Sequence, residues 1–237
     1  MEWDDEAVVL SLRRHGEHGG VASLLTRCHG RHAGLIHGAQ SKANRGIAQP
    51  GNHVRAWWKG RLAEQLGTLR LEVLHAHAGA VLDDPARLAA LSAACALSEL
   101  ALPERQPHPG AFAALEALLT ALAAESWPSV YVHWELALLR DLGFGLDLSV
   151  CAATGATEDL GFVSPKSGRA VARAAAGPWK HKLLPLPRFL VEGGEGAAAE
   201  IRDGLLLTGF FLDRHVLSAH NLSMPAARIR LVDRFRA

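Results

Sequence analysis

Alternation with a period of two gives way to helical spacing near Asp83, and that change of rhythm sets the fold class. Before it, five short runs rich in apolar and β-branched residues are separated by turn residues: Ala7–Leu12, Val21–Thr26, Ala33–His37, His53–Lys59 and Thr68–Leu74. In the last run Leu69, Leu71 and Val73 share one face, while Arg70 and Glu72 share the other. The clusters His15-Gly16-Glu17-His18-Gly19-Gly20 and Gln49-Pro50-Gly51-Asn52 punctuate the runs with turn chemistry. Five strands in so short a stretch suit a small barrel, of which the five-stranded OB fold is the common form. Periodicity alone does not separate it from an SH3-like barrel.

Beyond Asp83 the pattern is helical. Asp84-Pro85 supplies an N-cap followed by proline at the first helical position, predicting a helix to about Leu100. The segment Pro103–Pro109 breaks it. A second helix is expected over Ala111–Ala124, with Phe112, Leu115, Leu118, Leu119 and Leu122 on one stripe. A third is expected over Ser129–Leu142, ending at Gly143. Residues 147–176 read as irregular, with a hairpin around Ser164-Pro165-Lys166-Ser167-Gly168. Leu205–His220 and Pro225–Arg236 read as further helices, and Gly193-Gly194-Glu195-Gly196 as a flexible loop. The expected division is a barrel at 1–80 and a helical domain at 81–237, an α+β chain.

Composition narrows the function classes. With 49% apolar and 21% charged residues, the chain has the material for packed cores. Its three cysteines, Cys28, Cys95 and Cys151, are widely spaced and odd in number, so the expected setting is a reducing cytoplasm without a disulfide framework. Glu2, Asp4, Asp5 and Glu6 stand where a signal peptide would carry bases before an apolar run. No stretch offers the roughly 20 apolar residues of a membrane span, so no membrane partner is expected.

Net charge is only +1, but its distribution is uneven. Between Arg13 and Arg61 stand nine Lys or Arg residues and one acid, Glu17, whereas residues 81–237 hold fifteen bases and seventeen acids. A basic segment joined to a nearly neutral one is the pattern of a polyanion-binding module. The candidate DNA-binding residues are therefore Arg13, Arg14, Arg27, Arg31, Lys42, Arg45, Arg55, Lys59 and Arg61, whose cations release counterions when they meet phosphates. Trp57 and Trp58 join them. Being adjacent on a strand they point to opposite faces, one to the core and the other free to stack on an unpaired base. Ser41-Lys42-Ala43-Asn44-Arg45-Gly46 reads as a flexible loop able to clamp a strand. The plainer alternatives are a solvated charged face and a tryptophan pair used only for packing.

No catalytic pattern is present: GxxxxGK[ST], HExxH, GxSxG and a Gly-rich dinucleotide turn are all missing from the sequence. The pairs His15/His18, His29/His32 and His75/His77 each lack a second pair at matching spacing, so they read as ordinary histidines. Neither an enzyme nor a cofactor is expected.

Several segments, taken in order, resemble the bacterial RecO family of recombination mediators. They are Glu6-Ala7-Val8-Val9-Leu10 through Arg14-His15-Gly16-Glu17, Leu25-Thr26 with Gly30, and Ser41-Lys42 with Arg45 leading to Gln49-Pro50-Gly51. Trp134-Glu135-Leu136, Leu142-Gly143-Phe144 and Leu146-Asp147-Leu148, then Cys151, Gly155, Ser164-Pro165 and Gly168, continue the likeness into a zinc-ribbon-like insert. Zinc-bearing members resemble C-x2-C…C-x2-C there, whereas this chain has Cys151, Thr154, Ala172 and Ala175. The expectation is a degenerate, metal-free insert at about 147–176. The resemblance implies binding of single- and double-stranded DNA, strand annealing, engagement of the acidic tail of single-strand-binding protein, and action with RecR to load RecA on gapped DNA. It also implies a cytoplasmic, nucleoid-associated site of action. A protein–protein adaptor with an acidic partner and an RNA-binding OB protein are the competing readings.

Overall fold

A computed structural model describes residues 1–62 and 65–236. The chain forms β1 (Glu2–His15), β2 (Gly19–Thr26), β3 (Gly30–Ile36), α1 (Lys42–Ile47), β4 (His53–Lys59) and β5 (Gly67–His75). Then follow α2 (His77–Ala80), α3 (Pro85–Ala101), α4 (Pro109–Ala121), α5 (Trp127–Asp141), β6 (Leu160–Val163) and β7 (Ala170–Ala172). The remainder is α6 (Arg173–Ala176), a 3-10 turn (Gly177–Lys182), β8 (Leu184–Pro185), α7 (Phe189–Glu192), α8 (Ala198–Phe211) and α9 (Ala226–Asp233), with a π turn at Leu212–Leu217. Two compact units result, Met1–Ala123 with Pro225–Arg228 and Ala124–Met224 with Ile229–Ala237. The change of rhythm near Asp83 therefore marks a change of element type inside the first unit.

Within the first unit the five strands close in the order β1-β2-β3-β5-β4, the connectivity of an OB barrel. β1 is long enough to serve two neighbours. Its first half pairs with β4 (Asp4 opposite Trp57, Glu6 opposite Arg55), and its second half pairs with β2, with a bulge between Val9 and Ser11 that turns the strand. Ala7, Val9, Ala22, Leu24, Ile36, Val54, Ala56 and Trp58 fill the interior. Trp58 decides the local sequence: a Cβ on Gly67 would lie 2.4 Å from its ring, and one on Gly60 also 2.4 Å. Glycines at those positions admit an indole into a narrow barrel.

The Ser41–Gly46 segment is not the loop expected. It is α1, because the Ser41 hydroxyl caps the Asn44 amide at 3.3 Å, and Ile47 and Ala48 bury against the barrel core. α3 begins as its cap predicts, with Asp84 accepting from the amides of Ala86 (2.9 Å) and Arg87 (3.1 Å). It packs on β1 and β2, and Leu91 comes so close to Gly51 (φ +89°) that a Cβ there would meet it at 2.6 Å.

In the second unit, α5 and α8 pack together through buried Glu135 and Thr208, whose side chains are hydrogen-bonded. α8 starts seven residues before the expected Leu205, because the Glu200 carboxylate accepts from the Ala197 amide at 3.1 Å and holds the first turn. The expected hairpin is β6–β7, turning through Ser164 and Gly168 (φ +67°). β8 adds a third strand on the other side of β6, so the small sheet reaches past residue 176. Among the described residues, no helix is long and apolar enough to cross a membrane.

Candidate nucleic-acid interface

Barrel closure brings cations together with acids that are distant in sequence. On the outer face of β1, β4 and β5, register aligns Glu2 with Lys59 and Thr68, Asp4 with Trp57 and Arg70, and Glu6 with Arg55 and Glu72. Lys59 reaches Glu2 at 3.4 Å, and Arg55 is bonded to Asp4, which holds its guanidinium even more firmly charged than usual. Three more candidates are tied to acids contributed by the helices and their connection. Arg13 meets Glu99 at 3.2 Å, beside Ser11 on the same carboxylate at 2.7 Å. Arg27 meets Glu6 at 2.6 Å and Glu116 at 3.8 Å, and Arg31 meets Glu104 at 3.2 Å while donating to Leu102 O at 2.8 Å. The nine cations therefore do not form one continuous surface. The window from Arg13 to Arg61 leaves out Glu2, Asp4, Asp5 and Glu6, and over residues 1–80 ten bases face seven acids.

Arg14, Lys42, Arg45 and Arg61 carry no ion pair among the described residues, and all four are exposed. Three of them belong to one end of the barrel. Arg14 lies opposite Gly20, whose Cβ would sit 2.9 Å from Ala39, at the entrance to the turn that carries Lys42 and Arg45. Arg45 adds a long contact to Gln40 O at 3.4 Å. Arg61 follows β4, in the connection to β5.

The tryptophan pair divides as strand geometry requires. Trp58 is 2% exposed, and its Nε1 donates to Ala33 O at 3.2 Å, so it is core and offers no face to a base. Trp57 is half-buried on the outside with the Arg70 guanidinium 4.1 Å from its ring. Both line a depression of about 620 Å³ with Lys59, Thr68 and His37, rimmed by Glu2 and Asp4. Arg70 was not singled out from the sequence. Its alternation with Leu69 and Leu71 gave the signal, but only the pairing of β4 with β5 places it on Trp57.

The histidine pairs do not gather into a ligand set, and no group of three His, Cys, Asp or Glu side chains suited to a metal occurs among the described residues. His29 Nδ1 lies 3.0 Å from Asp5, and His32 Nδ1 lies 3.3 Å from His29 O. At the four ribbon positions, Cys151 Sγ accepts from the Ala172 amide at 3.3 Å, a contact that, with the Thr154 hydroxyl, lowers the thiol to about 7. One thiol, one hydroxyl and two alanines do not fit tetrahedral zinc.

Two family models match the chain, Recombination protein O N terminal over residues 1–77 and Recombination protein O C terminal over residues 82–224. A DNA repair protein RecO from Rhodospirillum centenum (strain ATCC 51521 / SW) is 56% identical, over all of this chain and 95% of the relative. Those from Rhodospirillum rubrum and Phenylobacterium zucineum (strain HLK1) are each 49% identical, over 100% and 99% of this chain and 97% of each relative. The chain belongs to the RecO family. A role in DNA repair and recombination comes with that membership, and so does the OB barrel of the RecO amino-terminal domain. Within this RecO-family chain, the cations without a carboxylate partner among the described residues, rather than all nine, define the candidate interface on the barrel.

Proposed function

We propose that the protein is a non-catalytic recombination mediator that binds single- and double-stranded DNA, anneals complementary strands, and acts with RecR and single-strand-binding protein to load RecA on gapped DNA. Residues 1–80 are its nucleic-acid-binding domain in this reading. The observation that carries it is the RecO-family barrel with Arg14, Lys42 and Arg45 exposed at its α1 end and without an ion pair among the described residues. Cations grouped there draw phosphates by counterion release, without regard to base sequence. Two strands held on one cationic surface have part of their mutual repulsion offset, so pairing needs positioning and no covalent step. Trp57, with Arg70 on its ring, offers an aromatic edge on the neighbouring wall of the barrel.

The test is a strand-annealing assay with complementary oligonucleotides, bare and coated with single-strand-binding protein. Annealing of both is expected. Failure on bare strands would remove the mediator reading, and a preference for RNA in direct competition would favour an RNA-binding role.

A further inference from the structure

A second acid-free basic stretch lies outside the barrel. From Leu160 to Val191 there are six Lys or Arg residues (Lys166, Arg169, Arg173, Lys180, Lys182 and Arg188) and no Asp or Glu. All six are exposed, on or beside the three-stranded sheet of the second unit. The stretch also projects an aromatic ring. After α6, Gly177 (φ +44°) and Pro178 turn the chain so that Trp179 stands 60% exposed, while Ala176 behind it is buried.

Ring contacts order the cations into a row. Arg173 and Lys180 both approach Phe162, at 5.9 and 5.7 Å from its centroid, and Gly161 leaves room for the Arg173 stem, which a Cβ would meet at 2.5 Å. The Lys182 ammonium sits 5.0 Å from the Trp179 ring. Arg169, Arg173 and Arg188 touch flanking acids at 3.3–3.4 Å, in exposed pairs. Lys166, Lys180 and Lys182 have no ion pair among the described residues.

We infer that this sheet and its Gly177–Lys182 turn form a second contact for single-stranded DNA, in which Trp179 stacks on an unpaired base while Lys180 and Lys182 take neighbouring phosphates. The inference rests on the DNA-binding reading above and names a site that reading does not use. An exposed ring flanked by cations is what a sequence-tolerant single-strand site requires. A lipid surface is disfavoured because anchoring needs a broad apolar face, whereas this turn presents one apolar ring among basic residues.

The experiment measures binding of a fluorescent oligo-dT to the full chain, its Trp179→Ala and Trp179→Phe variants, and a Lys180→Glu/Lys182→Glu variant. Loss of one stacked base should weaken binding roughly 5- to 100-fold in Trp179→Ala, with most of it recovered in Trp179→Phe. The lysine variant should show a flatter salt dependence. Ultraviolet crosslinking to 5-iodouracil-substituted oligonucleotide should mark the peptide containing Trp179. Wild-type affinity and salt slope in both folded variants, with no crosslink at residues 177–182, would overturn this site and leave DNA binding intact. Absence of DNA binding by the wild-type chain would overturn both readings. Trp179-dependent binding to phosphatidylserine vesicles with unchanged DNA affinity would reassign the surface to a membrane.

Discussion

Removing the two free cations of α1 should change how DNA binding responds to salt. Lys42 and Arg45 are exposed, and neither has an ion pair among the described residues, so Lys42→Ala/Arg45→Ala should cost folding stability no more than about 0.5 kcal/mol per site. If each neutralises one phosphate of a single strand, the slope of log K against log salt falls by about 0.7 per contact, or about 1.4 for the pair. Over a fourfold rise in salt, from about 50 to about 200 mM, the wild type should then lose ~7-fold more affinity than the double variant. Fluorescence anisotropy with a labelled oligonucleotide across that range gives both slopes. Arg31→Ala is the matched control. Its guanidinium is engaged by Glu104 at 3.2 Å and Leu102 O at 2.8 Å, so its loss should lower thermal stability while leaving the slope as it was. Parallel slopes for wild type and a folded double variant would refute the assignment of α1 to the interface.

Three further outcomes follow from packing and charge. Trp58→Ala empties the barrel interior and should cost about 3–5 kcal/mol in chemical denaturation, whereas Trp57→Ala should keep nearly wild-type stability and weaken oligonucleotide binding. His53 is 5% exposed, and burial lowers its pKa from 6.5 despite the nearby Glu116 and Glu6 carboxylates, with His75 and Arg27 adding to the lowering. The unfolded chain therefore binds the proton more tightly, so stability is fully present above about pH 6.5 and falls as pH drops through the lower folded value. A plot of Tm against pH should be flatter below 6.5 in His53→Gln, and an identical slope would exclude His53 as a source. Finally, metal analysis of the purified protein should return no stoichiometric zinc, and a chelator should leave Tm unchanged; bound zinc at one per chain would contradict the donor set at Cys151, Thr154, Ala172 and Ala175.

Elements whose ends are written by local chemistry were legible. Asp84-Pro85 marked the start of α3, Gly143 (φ +87°) the end of α5, and the alternation of Leu69 to Val73 a strand of the barrel. Elements stabilised from elsewhere were not. α1 carries Gly46 and Asn44 and looks like a turn in isolation, but Ile47 and Ala48 gain burial only once the barrel exists beneath them. β8 is two residues long, and its pairing with Phe162 and Val163 comes from across the small sheet, with nothing in Leu184-Pro185 to announce it.

The same distinction governs the charges. A count along the chain treats Arg13 to Arg61 as one patch, but a closed barrel sorts side chains by register, and register sets β1's acids beside β4's bases. Glu2, Asp4 and Glu6 precede the counted window yet neutralise Lys59, Arg55 and Arg27 within it. Net excess in a β-rich segment is therefore a weak guide to surface potential, because each strand faces partners drawn from elsewhere in the sequence. An acid-free run is no safer by itself: residues 18–63 hold no Asp or Glu, yet Arg27, Arg31, Arg55 and Lys59 within them meet acids from outside the run. What counts is which cations keep no carboxylate once the chain is folded. In residues 160–191 three ion pairs reach out to Asp147, Asp159 and Glu192, leaving Lys166, Lys180 and Lys182 without one among the described residues. On that reasoning Lys180 and Lys182 should contribute more to the salt dependence of binding than Arg55 and Lys59, which already have carboxylates to leave before they can meet a phosphate.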